Sequence, residues 1–298
     1  MSIDLELYRI FCEVAKTGNI TKAAHNLFVS QSAVSQSIKL LENRLKGKLF
    51  DRSVHGVTLT AEGKVLYSHI RDSIRIIENA QVVVSDMIDL SSGSVRIGAS
   101  DTICSLYLLP ALKKFNQLYP DIQLSVTNRT TSESIKLLKN ASVDIAFVNL
   151  PITDEDSFEV IKVKTIHDCF VVGEKYFHLA ETKLNFNHLS NYPLLSLEQE
   201  SNSRTQMDLF MQKHNYILNP SIELGSLSLL REFAKIGLGI ALTVREDVTQ
   251  MLKANELKEL SFFHPLPTRH FGLLIPKNIS LSFAAKAFIQ QIEVTSII

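Results

Sequence analysis

The sequence predicts three consecutive parts: a small helical head with a two-stranded ribbon, one long helix, and a two-lobed α/β body. Three observations support this order. The first 45 residues place apolar side chains at helical spacing, residues 60–89 continue a single heptad stripe, and from residue 94 short apolar runs alternate with helical patterns. The expected boundaries are 1–59 for the head, 60–90 for the linker helix, 91–94 for a hinge and 95–298 for the body.

The composition is that of an ordinary globular chain. Hydrophobic residues make up 45% of the 298 residues, charged residues 21%, and the net charge is zero. No apolar run reaches the roughly 20 residues of a membrane span, and the N-terminus lacks a signal-peptide pattern. Cys12, Cys104 and Cys169 are odd in number and far apart, which favours small buried side chains in a reducing compartment. We therefore expect a cytoplasmic protein.

The head begins with a helix that Asp4 can cap and that Gly18 can end. Its inner face carries Leu7, Ile10, Phe11 and Val14.

Residues 20–46 predict two further helices joined by a tight corner. Phe28 and Val29 are expected to fill the corner, and Ser30 can cap the second helix. The first of these helices offers a small apolar face of Ala23, Ala24 and Leu27, and the second a buried stripe of Val34, Ile38, Leu41 and Leu45. This arrangement is a helix-turn-helix.

The outer face of the second helix is rich in hydroxyls and amides and holds neither an apolar residue nor an acid. It carries Ser32, Ser35, Gln36, Lys39 and Asn43, with Gln31 at its exposed start. Such groups bind phosphates and base edges. Residues 15–58 also carry a net charge of +5, from seven basic and two acidic residues. DNA binding is favoured over the alternative, a merely solvated helical hairpin.

Residues 49–59 predict two short strands around Gly56. Beside a DNA-reading helix such a ribbon is a wing, and Arg52, His55 and Thr58 can reach the backbone or the minor groove. The alternative is a bare surface hairpin.

This head resembles the N-terminal domain of LysR-type transcriptional regulators, without a gap up to Gly63. The resemblance rests on Thr21, Ala24, Leu27, residues 29–33, Ser35, Ile38, Leu41, Glu42, Leu45, residues 49–52 and residues 59–63. The family often has proline where this chain has Ser32, and both suit the first turn of a helix. We expect DNA contacts from Thr21, Ser30, Gln31, Ser32, Ser35, Gln36, Lys39, Arg52 and Thr58.

The long helix carries an apolar seam that it cannot bury alone. Its heptad positions hold Tyr67, Ile70, Ile74, Ile77, Gln81, Val84 and Ile88. The simplest partner is the same helix of a second copy, and the alternative is the chain's own C-terminal domain. The resemblance also implies dimers, commonly assembled into tetramers, that act at promoters with RNA polymerase. A dimer would present two reading helices to two DNA half-sites.

The body predicts parallel sheets with crossover helices. The expected strands are 95–99, 122–128, 143–148, 160–166, 170–172, 194–197, 222–224, 239–243 and 269–275, and the expected helices 105–118, 131–140, 204–213, 226–236 and 280–292. Two lobes joined by two crossing strands resemble the periplasmic-binding-protein fold, which is also the effector domain that the family resemblance implies. Lobe I would comprise about 95–163 and 270–298, and lobe II about 164–269.

Polar residues follow three of these strands, where open parallel sheets bind ligands. They are Ser100, Asp101, Thr102, Thr130, Thr131 and Ser226. Hydroxyls at helix N-termini favour an anion, although each residue alone is more simply an ordinary helix cap. The resemblance adds Asn149, Ser203 and Arg204 as effector contacts. Asp101 would repel an anion unless its charge is used in capping or paired with Arg129.

The sequence contains no motif typical of a catalytic site. The run from His167 to Cys169 lacks the spaced repeats of a zinc site, and there is no glycine-rich phosphate loop. We therefore expect no metal, no cofactor and no enzyme, but a DNA-binding regulator controlled by a small, anionic effector. Two rival classes remain: a solute-binding receptor that does not read DNA, and an α/β enzyme with a reactive group in the cleft.

Overall fold

The computed structural model describes residues 4–53, 56–88, 93–277 and 279–292. The chain divides into two compact units, Met1–Val82 and Val83–Ile298.

The first unit contains the expected three-helix head. Helix α1 spans Leu5–Thr17, α2 Ile20–Asn26 and α3 Gln31–Leu45. The Asp4 carboxylate caps α1 by accepting from the Glu6 N–H at 3.0 Å, and Gly18 ends it with a φ of 63°. The Ser30 hydroxyl caps α3 by accepting from the Ala33 N–H at 3.2 Å. Local capping chemistry thus fixes both ends of the turn.

The core of the head is formed by the apolar faces of these helices. Phe11, Val34 and Leu41 are fully buried. Three expectations about this region were wrong. Leu45 is 39% exposed because it lies in the last turn of α3, and the corner residues Phe28 and Val29 are 93% and 42% exposed. Phe28 adopts a left-handed φ of 55°, and backbone hydrogen bonds close this corner without its side chain.

The wing consists of strands β1, Phe50–Ser53, and β2, Gly56–Leu59, which pair antiparallel. The Glu42 carboxylate of α3 accepts hydrogen bonds from the Leu49 N–H at 2.8 Å and the Phe50 N–H at 3.3 Å. Glu42 therefore fastens the start of the wing to α3. The side chain of Arg52, and His55 altogether, lie outside the described parts of the structure.

Helix α4 spans Ala61–Ile88 and begins at the cap Thr60, whose hydroxyl accepts from the Gly63 N–H at 3.0 Å. Part of its predicted seam is used by the chain itself. Tyr67 packs near Phe11, with ring centroids 6.4 Å apart, and Ile74 is buried.

Further along α4 the seam opens to solvent. Ile70 is half-buried, whereas Ile77, Gln81 and Val84 are exposed, and the side chain of Ile88 is outside the described set. The surface left for a partner is therefore shorter than the sequence predicts, and its use in dimerisation stays a prediction.

The second unit is built on a mixed sheet. Its strands are β3 Gly93–Ala99, β4 Ile122–Asn128, β5 Ile145–Leu150, β6 Phe158–Val172, β7 Leu194–Leu197, β8 Ile222–Leu224, β9 Ile240–Val244, β10 Lys258–Glu259 and β11 Thr268–Pro276. Their order is β4-β3-β5-β11-β6-β9-β7-β8, with β10 pairing β6. Strands β4, β3 and β5 are parallel in lobe I, and β9, β7 and β8 in lobe II. Both lobes were expected.

Two strands join the lobes. The segments 160–166 and 170–172, predicted as separate strands, form the single strand β6 of 15 residues. Strand β11 pairs antiparallel with β5 in lobe I and along β6. Of the predicted hinge, residues 91 and 92 lie outside the described residues, and Gly93 already begins β3.

The helices of the second unit lie between these strands. They are α5 Asp101–Ile103, which continues through a π-helical turn, α6 Leu109–Leu118, α7 Thr131–Lys139, α8 Asn202–Lys213, α9 Leu227–Lys235, α10 Arg245–Lys253 and α11 Phe283–Gln290. Helix α10 was not expected from the sequence. Several of these helices begin directly after a parallel strand, which places their N-termini at one edge of the sheet.

Candidate DNA-reading helix and effector cleft

Helix α3 presents the polar face that the sequence predicts. Gln31, Ser32, Gln36 and Lys39 are exposed, and Ser35 is half-buried. Ser30 is exposed too, but its hydroxyl caps the helix and lies 2.9 Å from the Ser32 hydroxyl. The capping role limits what Ser30 can offer to DNA.

The basic side chains around this face are free to meet phosphates. They make no ion pair with any residue that the structure describes, and they comprise Lys22, Lys39, Arg44, Lys46 and Lys48. Thr21 and Thr58 are also exposed. The face therefore combines uncompensated positive charge with short hydrogen-bonding groups.

A cavity of about 470 Å³ lies between the two lobes of the second unit. Its walls bring together eight of the nine side chains that the sequence and the family resemblance selected: Ser100, Asp101, Thr102, Thr130, Thr131, Asn149, Ser203 and Ser226. They come from the ends of five different chain segments. The volume suits a small metabolite.

The lobe I wall is organised around the N-terminus of α7. The Thr130 N–H and hydroxyl donate to the Glu133 carboxylate at 3.1 and 2.8 Å, while the Glu133 N–H donates back to Thr130 at 3.4 Å. These hydrogen bonds lower the pKa of Glu133. The Thr131 hydroxyl accepts from the Asn149 N–H at 3.2 Å, which ties α7 to β5.

Two charged groups of this wall do not pair with each other. The Asp101 carboxylate accepts from the Asn128 side-chain amide, while the Arg129 guanidinium donates to the Asn128 backbone carbonyl at 2.7 Å. Among the described residues Arg129 has no carboxylate partner, so it keeps a free positive charge at the cavity.

The lobe II wall contains residues that the sequence reasoning missed. Glu198, Glu200 and Asn202 line the cavity on the turn between β7 and α8. They directly follow the carboxyl end of a parallel strand, which is the signal that identified the other wall. The cavity lining thus holds four carboxylates and one guanidinium, so the expectation of a purely anionic effector fits only the Arg129 side.

The floor of the cleft is tied together by Arg269 of β11. Its guanidinium bonds the Asp168 carboxylate at 2.7 and 2.5 Å, and both side chains are only 4% exposed. The same guanidinium donates to Asn149 at 3.2 Å and to Ser203 at 3.1 Å, two side chains that line the cavity. Arg269 therefore connects Asn149 of lobe I with Ser203 of lobe II, and both of these residues line the cavity.

Arg204, the ninth residue, is not part of the main cavity lining and borders only its small extension. It is 2% exposed and bonds the Leu197 carbonyl at 2.9 Å, Glu223 at 2.7 Å and Asp208 at 2.9 Å. These contacts lie within lobe II, and Arg204 holds α8 to its sheet.

Three polar atoms at or beside the cavity are buried and lack a hydrogen-bond partner in the described structure. They are the Ser100 and Thr243 hydroxyl oxygens and the Asn202 side-chain oxygen. Ser100 and Asn202 line the main cavity, and Thr243 lines a small extension that shares Leu197 and Ser203 with it. Unsatisfied buried polar groups are costly, so a bound ligand or water would stabilise this site.

The thiols and the His167 run serve structural roles. Burial raises the pKa of Cys12 to about 12, and it raises the pKa values of Cys104 and Cys169. His167 lies 2.7 Å from Glu246, and Asp168 is held by Arg269. In the described residues no group of three His, Cys, Asp or Glu side chains could hold a metal ion.

A second cavity, of about 570 Å³, lies beside the crossing strands. It is lined by Lys162, Lys213, His270 and Glu155 among others. Arg269 lines this second cavity and also bonds Asn149 and Ser203 of the interlobe cavity. None of the eight predicted effector residues lines the second cavity, so the interlobe cavity is the better candidate for the effector site.

Comparison with known proteins identifies both units. Residues 5–64 match the model of the bacterial regulatory helix-turn-helix protein, lysR family, and residues 89–295 match the LysR substrate binding domain. None of the helices in the described ranges has the length and apolar character that crossing a membrane requires.

Relatives and solved structures match along nearly the whole chain. The present chain is 27% identical over 295 residues to the HTH-type transcriptional regulator CzcR of Bacillus anthracis, and the match covers 98% of this chain and 97% of the relative. It is 28% identical over 291 residues to the HTH-type transcriptional regulator YeiE of Escherichia coli, covering 97% of each.

Two full-length structures share its fold. A variant of OxyR from Pseudomonas aeruginosa has a TM-score of 0.70 at 19% identity, over 98% of this chain and 94% of that one. CbnR in complex with its target DNA has a TM-score of 0.65 at 16% identity, over 97% and 99%. With both of its units matched, this chain belongs to the LysR family of transcriptional regulators, with a helix-turn-helix DNA-binding domain and an effector-binding domain.

Proposed function

We propose that α3 reads operator DNA from the major groove, with Gln31, Ser32, Ser35, Gln36 and Lys39 contacting bases and phosphates. The observation that carries this proposal is the division of α3 into two faces. Val34, Ile38 and Leu41 are buried to 1% exposure or less, which fixes the helix in the head and holds the polar face outward. Thr21, Arg52 and Thr58 would position the DNA backbone.

We further infer that the protein acts as a dimer or higher oligomer through the exposed part of the α4 seam, so that two reading helices meet two half-sites. Recruitment of RNA polymerase and a cytoplasmic location follow from regulation of transcription. The predicted divisions at 59 and 90 remain part of this proposal as the borders of the head and the linker, whereas the hinge predicted at 91–94 overlaps with β3, which begins at Gly93.

The cavity between the lobes is the proposed effector site. A ligand that binds one arrangement of the lobes better than another shifts the population toward that arrangement. The Arg269 contacts to Asn149 and Ser203 place a rigid group under the ligand, so occupancy of the site can be felt by both lobes. We infer that the ligand is bound and released without conversion, because both family models that match the chain belong to regulators of transcription.

The DNA-reading proposal is tested by selecting bound duplexes from a randomised library and measuring affinities by fluorescence anisotropy. The wild-type protein is expected to enrich a site with two half-sites. Gln31→Ala should weaken binding to that site by about tenfold or more, because a bidentate base contact contributes roughly 1–3 kcal/mol.

The matched control is Gln212→Ala, which removes an exposed amide from α8 in the other unit. Equal affinities of Gln31→Ala, Gln36→Ala, Lys39→Ala and the control would show that α3 is not the reading helix. Circular dichroism melting of each variant excludes unfolding as the cause.

A further inference from the structure

We propose that the effector is a small zwitterion of the amino-acid type, with its carboxylate at Arg129 and the N-terminus of α7 and its ammonium group at Glu198 and Glu200. This inference rests on the proposed function of the interlobe cavity and specifies the ligand class. The observation that supports it is the distribution of charged side chains between the lobe I wall and the lobe II wall of the cavity.

The lobe I wall offers a site for one carboxylate. Arg129 lines the cavity and forms no ion pair among the described residues, while the nearby Glu133 carboxylate interacts with its charge at longer range. The first turn of α7, a helix of nine residues, lies beside it with Thr130 and Thr131 in the same lining. A guanidinium next to free helix N–H groups is a strong pattern for binding a carboxylate.

The lobe II wall offers the opposite charge. Glu198 and Glu200 are exposed in the cavity, and neither forms a hydrogen bond or ion pair through its side chain in the described structure. Their turn is ordered, because the Glu198 N–H donates to the Leu224 carbonyl at 3.2 Å and the Ser201 N–H to the Glu198 carbonyl at 3.0 Å. Two carboxylates on one fixed turn attract a cation, and a dianionic ligand would be repelled there.

The other two carboxylates of the lining are already in use. Glu133 accepts from Thr130, and Asp101 accepts from the Asn128 amide. They add negative potential to the cavity, which further disfavours a ligand with net negative charge. Because Glu133 already accepts from the N–H and hydroxyl of Thr130, the ligand carboxylate is left with Arg129 and the following N–H groups of α7.

Two buried atoms point independently to a polar ligand. The Ser100 hydroxyl oxygen on lobe I and the Asn202 side-chain oxygen on lobe II are both buried, unpartnered and part of the cavity lining. Ligand N–H groups can donate to both oxygens, and the Ser100 hydroxyl can donate in turn to a carboxylate. A ligand that carries both kinds of group satisfies both walls at once.

The test uses the full-length protein and a panel of the common L-amino acids, each read by thermal shift and titration calorimetry. At least one is expected to bind. For each binder, two analogues are compared: the deaminated carboxylic acid and the amide that lacks the carboxylate. Each analogue should bind at least about tenfold more weakly, which corresponds to about 1.4 kcal/mol.

Variants assign the two ends of the ligand. Glu198→Gln with Glu200→Gln should weaken the amino acid about tenfold while leaving the deaminated acid unchanged or tighter. Arg129→Gln should weaken both. Glu155→Gln, an exposed carboxylate outside the interlobe cavity, is the matched control and should change neither.

The proposal is overturned if no amino acid binds, if the deaminated acid binds as tightly as its parent, or if the Glu198 and Glu200 substitutions do not discriminate the two. Operator binding by the ligand-free wild-type protein is measured in parallel. Sequence-specific operator binding together with a negative panel would reject only the ligand class, whereas absence of operator binding would reject the proposed function itself.

Discussion

Replacing Arg269 by methionine should destabilise the second unit more than any surface substitution. The change keeps most of the side-chain volume but leaves the Asp168 carboxylate, which is 4% exposed, without its cation. Breaking a buried ion pair from one side costs about 3–5 kcal/mol. Asn149 and Ser203 also lose the guanidinium that bonds them.

The expected size of the effect can be stated as a melting temperature. For a unit of this size each kcal/mol lowers the melting temperature by roughly 2–4 °C, so Arg269→Met should lower it by about 6–20 °C. Differential scanning calorimetry of the full-length protein is the assay, with the two units fitted as separate transitions because a two-unit chain need not unfold in one step.

Two further variants make this prediction specific. Arg245→Met removes an arginine that pairs with Glu259 at the surface, and an exposed pair contributes at most about 1 kcal/mol. Asp168→Leu combined with Arg269→Met should recover most of the lost stability, because an apolar pair avoids burying a charge. If Arg269→Met melts no lower than Arg245→Met, the pair does not hold the floor of the cleft.

Three other outcomes follow from single residues. Phe28→Asn should leave the free energy of unfolding unchanged or raise it by up to about 1 kcal/mol, because Asn tolerates a left-handed backbone and the aromatic ring is 93% exposed; a marked loss in urea unfolding would contradict this. Native Cys12, Cys104 and Cys169 should react with iodoacetamide at pH 8 far more slowly than the unfolded chain, because their raised pKa values suppress the thiolate. Mass spectrometry that finds equal rates would refute the burial argument. Burial, and secondly Lys162, lower the pKa of His270, so the unfolded chain binds more protons and stability should fall as the pH drops below about 6.5. His270→Asn should show a smaller fall between pH 7 and 5, and identical pH profiles would exclude His270 as the cause.

The sequence predicted the elements that depend on local chemistry. Asp4, Ser30 and Thr130 each cap the helix that the pattern assigned to them. Strands 122–128, 194–197 and 222–224 have the predicted bounds. The first and the last of them lie at the edges of the sheet and alternate apolar with polar residues, which is itself a strand pattern.

The errors arise where tertiary contacts decide. Leu45 fits the buried stripe of α3 by spacing, but it lies in the last turn of the helix, where it is left exposed. Tyr67 fits a seam for a second copy and also packs near Phe11 of the same chain, so its part in dimerisation stays a prediction. Periodicity identifies an apolar face but does not identify what covers it.

In the effector site too, local sequence rules identified some of the residues and missed one that depends on a tertiary contact. The rule that ligands bind at the carboxyl ends of parallel strands selected six residues, the family resemblance added Asn149 and Ser203, and all eight share one cavity. It did not select Arg269, because this residue reaches the cleft from an antiparallel crossing strand, 101 residues after its partner Asp168. No local pattern could indicate that pairing.

The salt dependence of operator affinity tests the central claim, that the polar face of α3 contacts DNA, most directly. Each phosphate contact contributes about 0.9 to the slope of log K against log salt, so Lys39→Ala should make the slope of a dimer less steep by about 1.8. Lys253→Ala, which removes an exposed lysine of α10, is the matched control and should leave the slope unchanged. A slope for Lys39→Ala that equals those of the wild type and the control would contradict the claim.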